Sequence, residues 1–355
     1  MTAFDDAEVE AFRADIGRSR VPGAYSPGRW SVAAGNRDPA VVGALPARVR
    51  LRDTTMRALG ALPLERAARS GFLRRLVASG VPEVVVPRAD DSAEAVAAVK
   101  AERPDCAVLC PFVSTADEVE AARRAGYDGV QVPVPGFGPA SAIYDPVEGG
   151  GVRTRAEVVA RAAAVVARAR ARGLRVVAAL MMVSYLTRDV LADTLAALAG
   201  ADEVTLFDGP GALGPEAFAD LVRATAAAGV PVGVHPHDTF GLAVACATAS
   251  ARAGAQVVEV SVNGYCGGPG NADLAATAAA FEVLYGVDTG VRLAHLTGLA
   301  RAAAGLTGRP AARHQPVVGP DAFHWGDGDW VRRESEVDPL LHNCVEPGLF
   351  GNDRA

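Results

Sequence analysis

Along the chain, short runs of apolar and β-branched residues alternate with longer stretches in which alanine, leucine, valine and arginine recur at helical spacing. From about residue 48 the short runs fall at 48–55, 82–87, 106–112, 128–134, 174–180, 203–208, 230–237 and 255–262. Each is followed by a helical pattern such as DEVEAARRAG or RTRAEVVARAAAVVARARARG. Alternating strands and helices predict a parallel sheet, and eight such units are the number that closes a (β/α)8 barrel. Several runs are apolar throughout, as strands covered on both faces are. Gly80, Gly126, Gly173, Gly229 and Gly254 precede strands and read as helix C-caps before short αβ loops. The competing fold is an open doubly wound sheet, but no glycine-rich dinucleotide fingerprint follows the first strand.

The fold class read from this pattern is α/β, a (β/α)8 TIM barrel over residues 48–288. An N-terminal extension, 1–47, carries a helical stretch near 5–17 and a Pro/Gly-rich segment, VPGAYSPGRW. A C-terminal tail, 289–355, begins with a helical pattern at about 291–306, turns irregular, and holds two of the three tryptophans.

Composition narrows the function. Half of the 355 residues are hydrophobic, enough for a large core. The formal net charge of −6 disfavours nucleic acid and anionic membrane surfaces as partners. No apolar stretch reaches the length of a membrane span, and the first residues lack a signal core, so a soluble cytoplasmic protein is expected. Five cysteines at irregular spacing fit neither a disulfide framework nor a zinc ribbon, and Cys106 and Cys110 lie on an apolar run as buried small residues do. Lys100 is the one lysine, near the end of a polar helical pattern, which disfavours Schiff-base and pyridoxal chemistry.

In a barrel of this kind the working residues sit at the C-terminal ends of strands and in the loops that follow. Three segments stand out. At the end of the seventh run, His235 and His237 are two apart, so both imidazoles face the same side of the strand and are able to share a divalent cation. The alternative is a pair of histidines satisfied by neighbouring hydrogen bonds. After the eighth run, Asn263-Gly-Tyr-Cys-Gly-Gly-Pro-Gly-Asn271 is a glycine-rich loop whose backbone allows close approach of a ligand, or simply a tight turn. After the first run, Asp53-Thr-Thr-Met-Arg57 offers a guanidinium for an enolate or carboxylate, although a lone arginine is more often an ion-pair residue.

Here a resemblance becomes specific. HPHDTFG and NGYCGGPGN resemble the HxHxxxG and NGxGxxxGN signatures of the DRE-TIM metallolyases, which include isopropylmalate synthase, homocitrate synthase and hydroxymethylglutaryl-CoA lyase, and DTTMRALG resembles their DTTLRDG. YGVDTG, PVVGPDAF and EPGLFG in the tail are similar to the synthase branch, so the resemblance covers about residues 46–351. It implies a divalent metal (magnesium, manganese or zinc) on His235, His237 and Asn271, with Arg57 as the catalytic arginine. Ala58 stands where the family has its metal-binding aspartate, and Asp53 is the candidate to replace it. Ser184 stands at the glutamate of SAEDATR, and Asp208 lies in a turn, FDGPG, that lacks the threonine of PDTxG. The strand-three arginine is replaced by Pro111 or Phe112, and the Glu-Arg of NGxGERxGN is absent. Asp53, Ser184, Asp208 and Gly268 are the expected substrate-binding positions; Arg57, Cys266 and His324 the expected catalytic ones, His324 as a proton-transfer group brought over the mouth by the tail.

The resemblance implies an acyl-CoA condensing with an unusual 2-oxo acid or carbonyl acceptor, in specialised biosynthesis, on small-molecule substrates and in a homodimer. Two alternatives remain. One is a carbon–carbon lyase of the hydroxymethylglutaryl-CoA type, with Cys266 functional; the other is a catalytically reduced barrel acting as a binding protein.

Overall fold

The computed structural model describes residues 5–20, 25–26, 29–60, 62–135, 153–326, 328–338 and 340–352. Residues 21–24 and 27–28 of the Pro/Gly-rich segment lie outside these. Eight parallel strands form a closed barrel: β1 (Arg50–Asp53), β2 (Glu83–Val85), β3 (Ala107–Cys110), β4 (Gly129–Pro135), β5 (Arg175–Met181), β6 (Glu203–Asp208), β7 (Val232–Pro236) and β8 (Val257–Val260). β8 pairs with β1, Val260 beside Asp53, which closes the sheet. Six strands lie within their apolar runs, and β4 and β5 each extend one residue beyond theirs. The structure is thus the α/β (β/α)8 barrel that the alternation predicts, and the five glycines ahead of strands all have positive φ.

Helices such as Arg66–Ala78, Ser92–Glu102 and Arg155–Ala171 cover the sheet. The outward residues of each strand, Leu51, Val108, Val130, Val176, Val204 and Val234 among them, join the helices in one apolar cluster. The inward residues behave differently. Val85, Leu109 and Val177 form a small separate apolar layer, and Ala179, Met181 and Phe207 another nearer the mouth.

The rest of the interior is ionic. Arg52, fully buried, lies 2.8 Å from both Glu83 and Glu203 and 3.3 Å from Glu259. Arg175 bridges the same two glutamates at 3.0 and 2.6 Å. Gly233 on β7 is small for a reason: a Cβ there would meet Thr205 Oγ1 at 2.6 Å and Glu203 Oε1 at 2.8 Å. Burial pushes the Glu83 carboxyl up, but Arg52, Arg175 and Arg50 outweigh it and hold it at about 2. Charges this deep are tolerable only when paired, and here each carboxylate meets at least one guanidinium.

The extension and tail pack together. Arg13, on the helix Asp6–Gly17, donates to the Val337 carbonyl (2.7 Å), and Arg20 pairs with Asp338 (2.8 Å). The helix Leu296–Thr307 runs past the glycine loop, whose Asn263 donates to the Ala300 carbonyl at 3.1 Å. Lys100 is spent on a pair with Asp128 (2.7 Å) at the start of β4, the end of the barrel opposite the mouth. Among the described residues no helix is long and apolar enough to cross a membrane.

Candidate metal and catalytic site

The mouth of the barrel gathers residues from β1, β4, β6, β7 and β8. His235, next to last in β7, is buried, and Phe207 from the neighbouring β6 stacks on its ring (4.5 Å between centroids, 24° between planes). Glu259 of β8 lies with Oε2 3.0 Å from His235 Nδ1. A carboxylate only accepts, so Nδ1 carries the hydrogen and Nε2 is left with its lone pair. Burial lowers the His235 pKa to about 4 despite that carboxylate, so the ring is neutral. His237, two residues on, is partly buried and also lowered, by burial and then by Arg57.

Glu259 is the hub. Its second oxygen accepts from Gln131 of β4 (2.5 Å) and Arg52 (3.3 Å), while Oε2 also accepts from Arg57 (3.1 Å). Burial would raise its pKa, yet Arg57, His235 and Arg52 together depress it, and the group is a fixed anion. Sequence reasoning missed Glu259. The signal was there: one acidic residue at an inward position of an otherwise apolar run, AQVVEVSV.

Arg57 sits in the short helical turn Thr55–Ala58 that leaves β1. Its guanidinium lies 5.3 Å from the Phe112 ring centroid and 5.2 Å from that of Phe207, with Nη2 3.3 Å from His235 Nδ1. Phe112, one of the two residues expected to replace an arginine, thus backs the one arginine kept here. Asp53, expected as a ligand, is engaged elsewhere: its oxygens accept from the Thr55 amide (2.9 Å) and hydroxyl (2.8 Å), and the same hydroxyl accepts from the Val262 amide. It braces Thr55, the first residue of the turn that carries Arg57. Burial raises its pKa to about 7.

The glycine loop folds back along β7. Asp238 donates to the Gly270 carbonyl (3.0 Å), Ala272 to that of Pro236 (3.2 Å), and Asn271 bridges His237 as an antiparallel partner. The closure needs glycine at 270: φ is +99° and a Cβ would stand 2.1 Å from the Gly264 carbonyl oxygen. This fold-back brings Cys266 over the histidines, Sγ 3.8 Å from His235 Nε2 and 3.6 Å from His237 Nε2. Among the described residues, His235, His237 and Cys266 are the group of histidine, cysteine and acidic side chains close enough to hold one ion, with donor atoms within 4.8 Å of one another. Asp53 is not in it.

The other expected positions divide. Asn271 is buried beside His237; its Oδ1 accepts from Ser261 and its Nδ2 has no partner. Turning the amide over, a choice that the hydrogen bonds decide, lets Nδ2 donate to Ser261 and frees Oδ1 as a ligand atom. An unsatisfied buried amide and two neutral imidazoles fit a divalent cation. Ser184, in the turn after β5, and Asp208, at the end of β6, each bury an oxygen with no hydrogen-bond partner among the described residues. Asp208 Oδ2 accepts from the Leu213 amide (2.8 Å). Gly268 is exposed on the loop, with φ +62°. His324 is exposed on the tail, its amide bonded to the Asp321 carbonyl, and the structure does not bring it to the histidine pair. The tail turns at Asp321–Ala322 and presents Phe323, not His324, to the protein, stacked on Phe350.

Comparison with known proteins identifies the family of the barrel. The HMGL-like family profile matches residues 48–302. A putative (R)-citramalate synthase from Methanopyrus kandleri is 32% identical over 324 residues, covering 87% of this chain and 62% of that protein. A probable 2-isopropylmalate synthase from the same organism is 33% identical over 291 residues, covering 79% and 56%. The chain thus spans little more than half the length of these synthases. A crystal structure of hydroxymethylglutaryl-CoA lyase from Pseudomonas aeruginosa superposes with a TM-score of 0.66 at 23% identity, covering 75% of this chain and 95% of that one, a likeness of fold.

Proposed function

The chain belongs to the HMGL-like family, within the DRE-TIM metallolyases, and on that premise we propose that it is a carbon–carbon bond-forming enzyme that joins an acyl-CoA to a 2-oxo acid or related carbonyl acceptor. The observation that carries the reading is Arg57, locked by Glu259 and two aromatic faces beside His235, at the mouth where two neutral imidazoles converge. His235, His237 and Asn271 would hold a divalent metal, which would supply Lewis-acid chemistry at the acceptor carbonyl. Arg57 offsets the negative charge that develops on oxygen, with little reorganisation because its partners already fix it. Glu259, a permanent anion with four donors, orients His235 and is not the proton carrier. The unpaired oxygens of Ser184 and Asp208 are left for substrate hydrogen bonds, and with serine in place of a glutamate they suit an acceptor other than that of an ordinary synthase.

The sequence relatives favour condensation. Cys266 beside both histidines is the observation that favours the second reading, cleavage of the hydroxymethylglutaryl-CoA type. The synthase-like tail goes with a homodimer, and the acidic chain with a cytoplasmic enzyme of small-molecule substrates.

The test is release of free CoA thiol from acetyl-CoA and longer acyl-CoAs against a panel of 2-oxo acids, with zinc, manganese or magnesium added. Thiol release that needs one 2-oxo acid and falls about 10²–10³-fold in Arg57→Ala supports condensation. Turnover of 3-hydroxy-3-methylglutaryl-CoA alone transfers the assignment to the lyase reading. Failure of both reactions, with metal bound, rejects the enzymatic account.

A further inference from the structure

The thiol of Cys266 has two short contacts, not one: 3.8 Å to His235 Nε2 and 3.6 Å to His237 Nε2. A thiol carries one hydrogen, so only one of these nitrogens is able to accept from it, and the other contact would have to be an N–H to sulfur, a weak acceptor. The separations also match those of a metal site. Around zinc, with Zn–S about 2.3 Å and Zn–N about 2.0–2.1 Å, a sulfur and a nitrogen at the tetrahedral angle stand about 3.6 Å apart. Both sulfur–nitrogen separations lie close to that value, and the three donor atoms lie within 4.8 Å of one another.

Their placement is anchored independently. Glu259 holds Nδ1 of His235 and so turns Nε2 toward the thiol. On the other side, Asn263 is tied to the Ala300 carbonyl, Tyr265 to the Arg309 carbonyl, and Gly270 packs on Gly264. Cys266 is thus held between two fixed points of the loop. Among the described residues no acidic side chain joins the three: Ala58 has no ligand atom, and Asp53 accepts from Thr55.

We infer that Cys266 is a metal ligand, and that its thiolate with His235 and His237 makes this a site for a tetrahedral, sulfur-accepting cation such as zinc in preference to magnesium. Sulfur donors favour zinc, whereas magnesium requires octahedral oxygen coordination. On binding, the thiol gives its proton to solvent as the sulfur–metal bond forms. Three protein ligands leave a fourth position, open to substrate or to the Asn271 amide. The inference rests on the metal-dependent reading above and specifies its ligand set.

Cobalt(II) in place of zinc reports sulfur directly. The full chain loaded with cobalt is expected to show intense thiolate-to-cobalt charge transfer in the near ultraviolet, together with visible bands of tetrahedral cobalt. In Cys266→Ser the ultraviolet band is lost while cobalt remains bound. Zinc K-edge absorption of the unsubstituted protein, which needs no variant, is expected to contain one sulfur at about 2.3 Å. Cobalt or zinc bound with nitrogen and oxygen neighbours only overturns the inference and leaves the metal-dependent reading standing. Failure of the chain to bind either ion overturns both.

Discussion

Glu259 holds His235 through a 3.0 Å contact between Oε2 and Nδ1, and it does so as an anion shared among Arg52, Arg57 and Gln131. One carboxylate therefore orients an imidazole, positions a guanidinium and ends the ion network of the barrel interior. Glu259→Gln keeps the size and removes the charge. A partner of this kind typically accounts for about 10–100-fold in metal affinity. We expect a loss in that range by competition with a chromophoric chelator, with circular dichroism unchanged. Unaltered affinity would mean that His235 is oriented by its stacking on Phe207 alone.

The ion network predicts a pH dependence. Glu83 is held at about 2, below the ordinary 4.5, because Arg52, Arg175 and Arg50 outweigh its burial. A depressed carboxyl contributes stability that is complete above 4.5 and is lost as pH falls through 2. Glu83→Gln removes one of the anions that Arg52, Arg175 and Arg50 share, leaving them on Glu203, and is expected to lower stability by about 3 kcal/mol at pH 7. The gap to the unsubstituted protein should close between pH 4.5 and 2 in denaturant titrations. A gap that stays constant over that interval would show that the network is not held by ionisation of Glu83.

Gly270→Ala tests how the thiol is placed. The added Cβ meets the Gly264 carbonyl oxygen at 2.1 Å and occupies φ +99°, so the loop must open. Loops at a barrel mouth carry little of the core, so the melting temperature is expected to move by a few degrees at most. Zinc affinity and turnover should both fall at least ~10-fold, the scale of losing orientation around a ligand. Retained zinc affinity would separate the loop from the metal.

The eight strands were legible because each is a short apolar run that helices cover on one face, and hydrophobic alternation reports that burial directly. The histidine pair was legible because a two-residue step on a strand is local geometry. What lay beyond the sequence was partly side-chain geometry within a turn and partly non-local contact. Asp53 reads as a spare ligand until the Thr55 amide and hydroxyl are seen to take both its oxygens. Cys266 reads as a loop thiol until Gly264 and Gly270 close the loop against β7. The tail residue that packs inward beside His324 is Phe323, stacked on Phe350. Glu259 and Arg52 are charges within strands, and only the closed barrel shows that they meet.

The most direct test of the account is the metal content of the purified chain, measured by mass spectrometry alongside the double variant His235→Ala/His237→Ala. The account predicts close to one divalent ion per chain, zinc above magnesium or manganese, and its loss from the double variant. An unsubstituted protein that takes up no ion from zinc or manganese, or a double variant that retains the same amount, would contradict it.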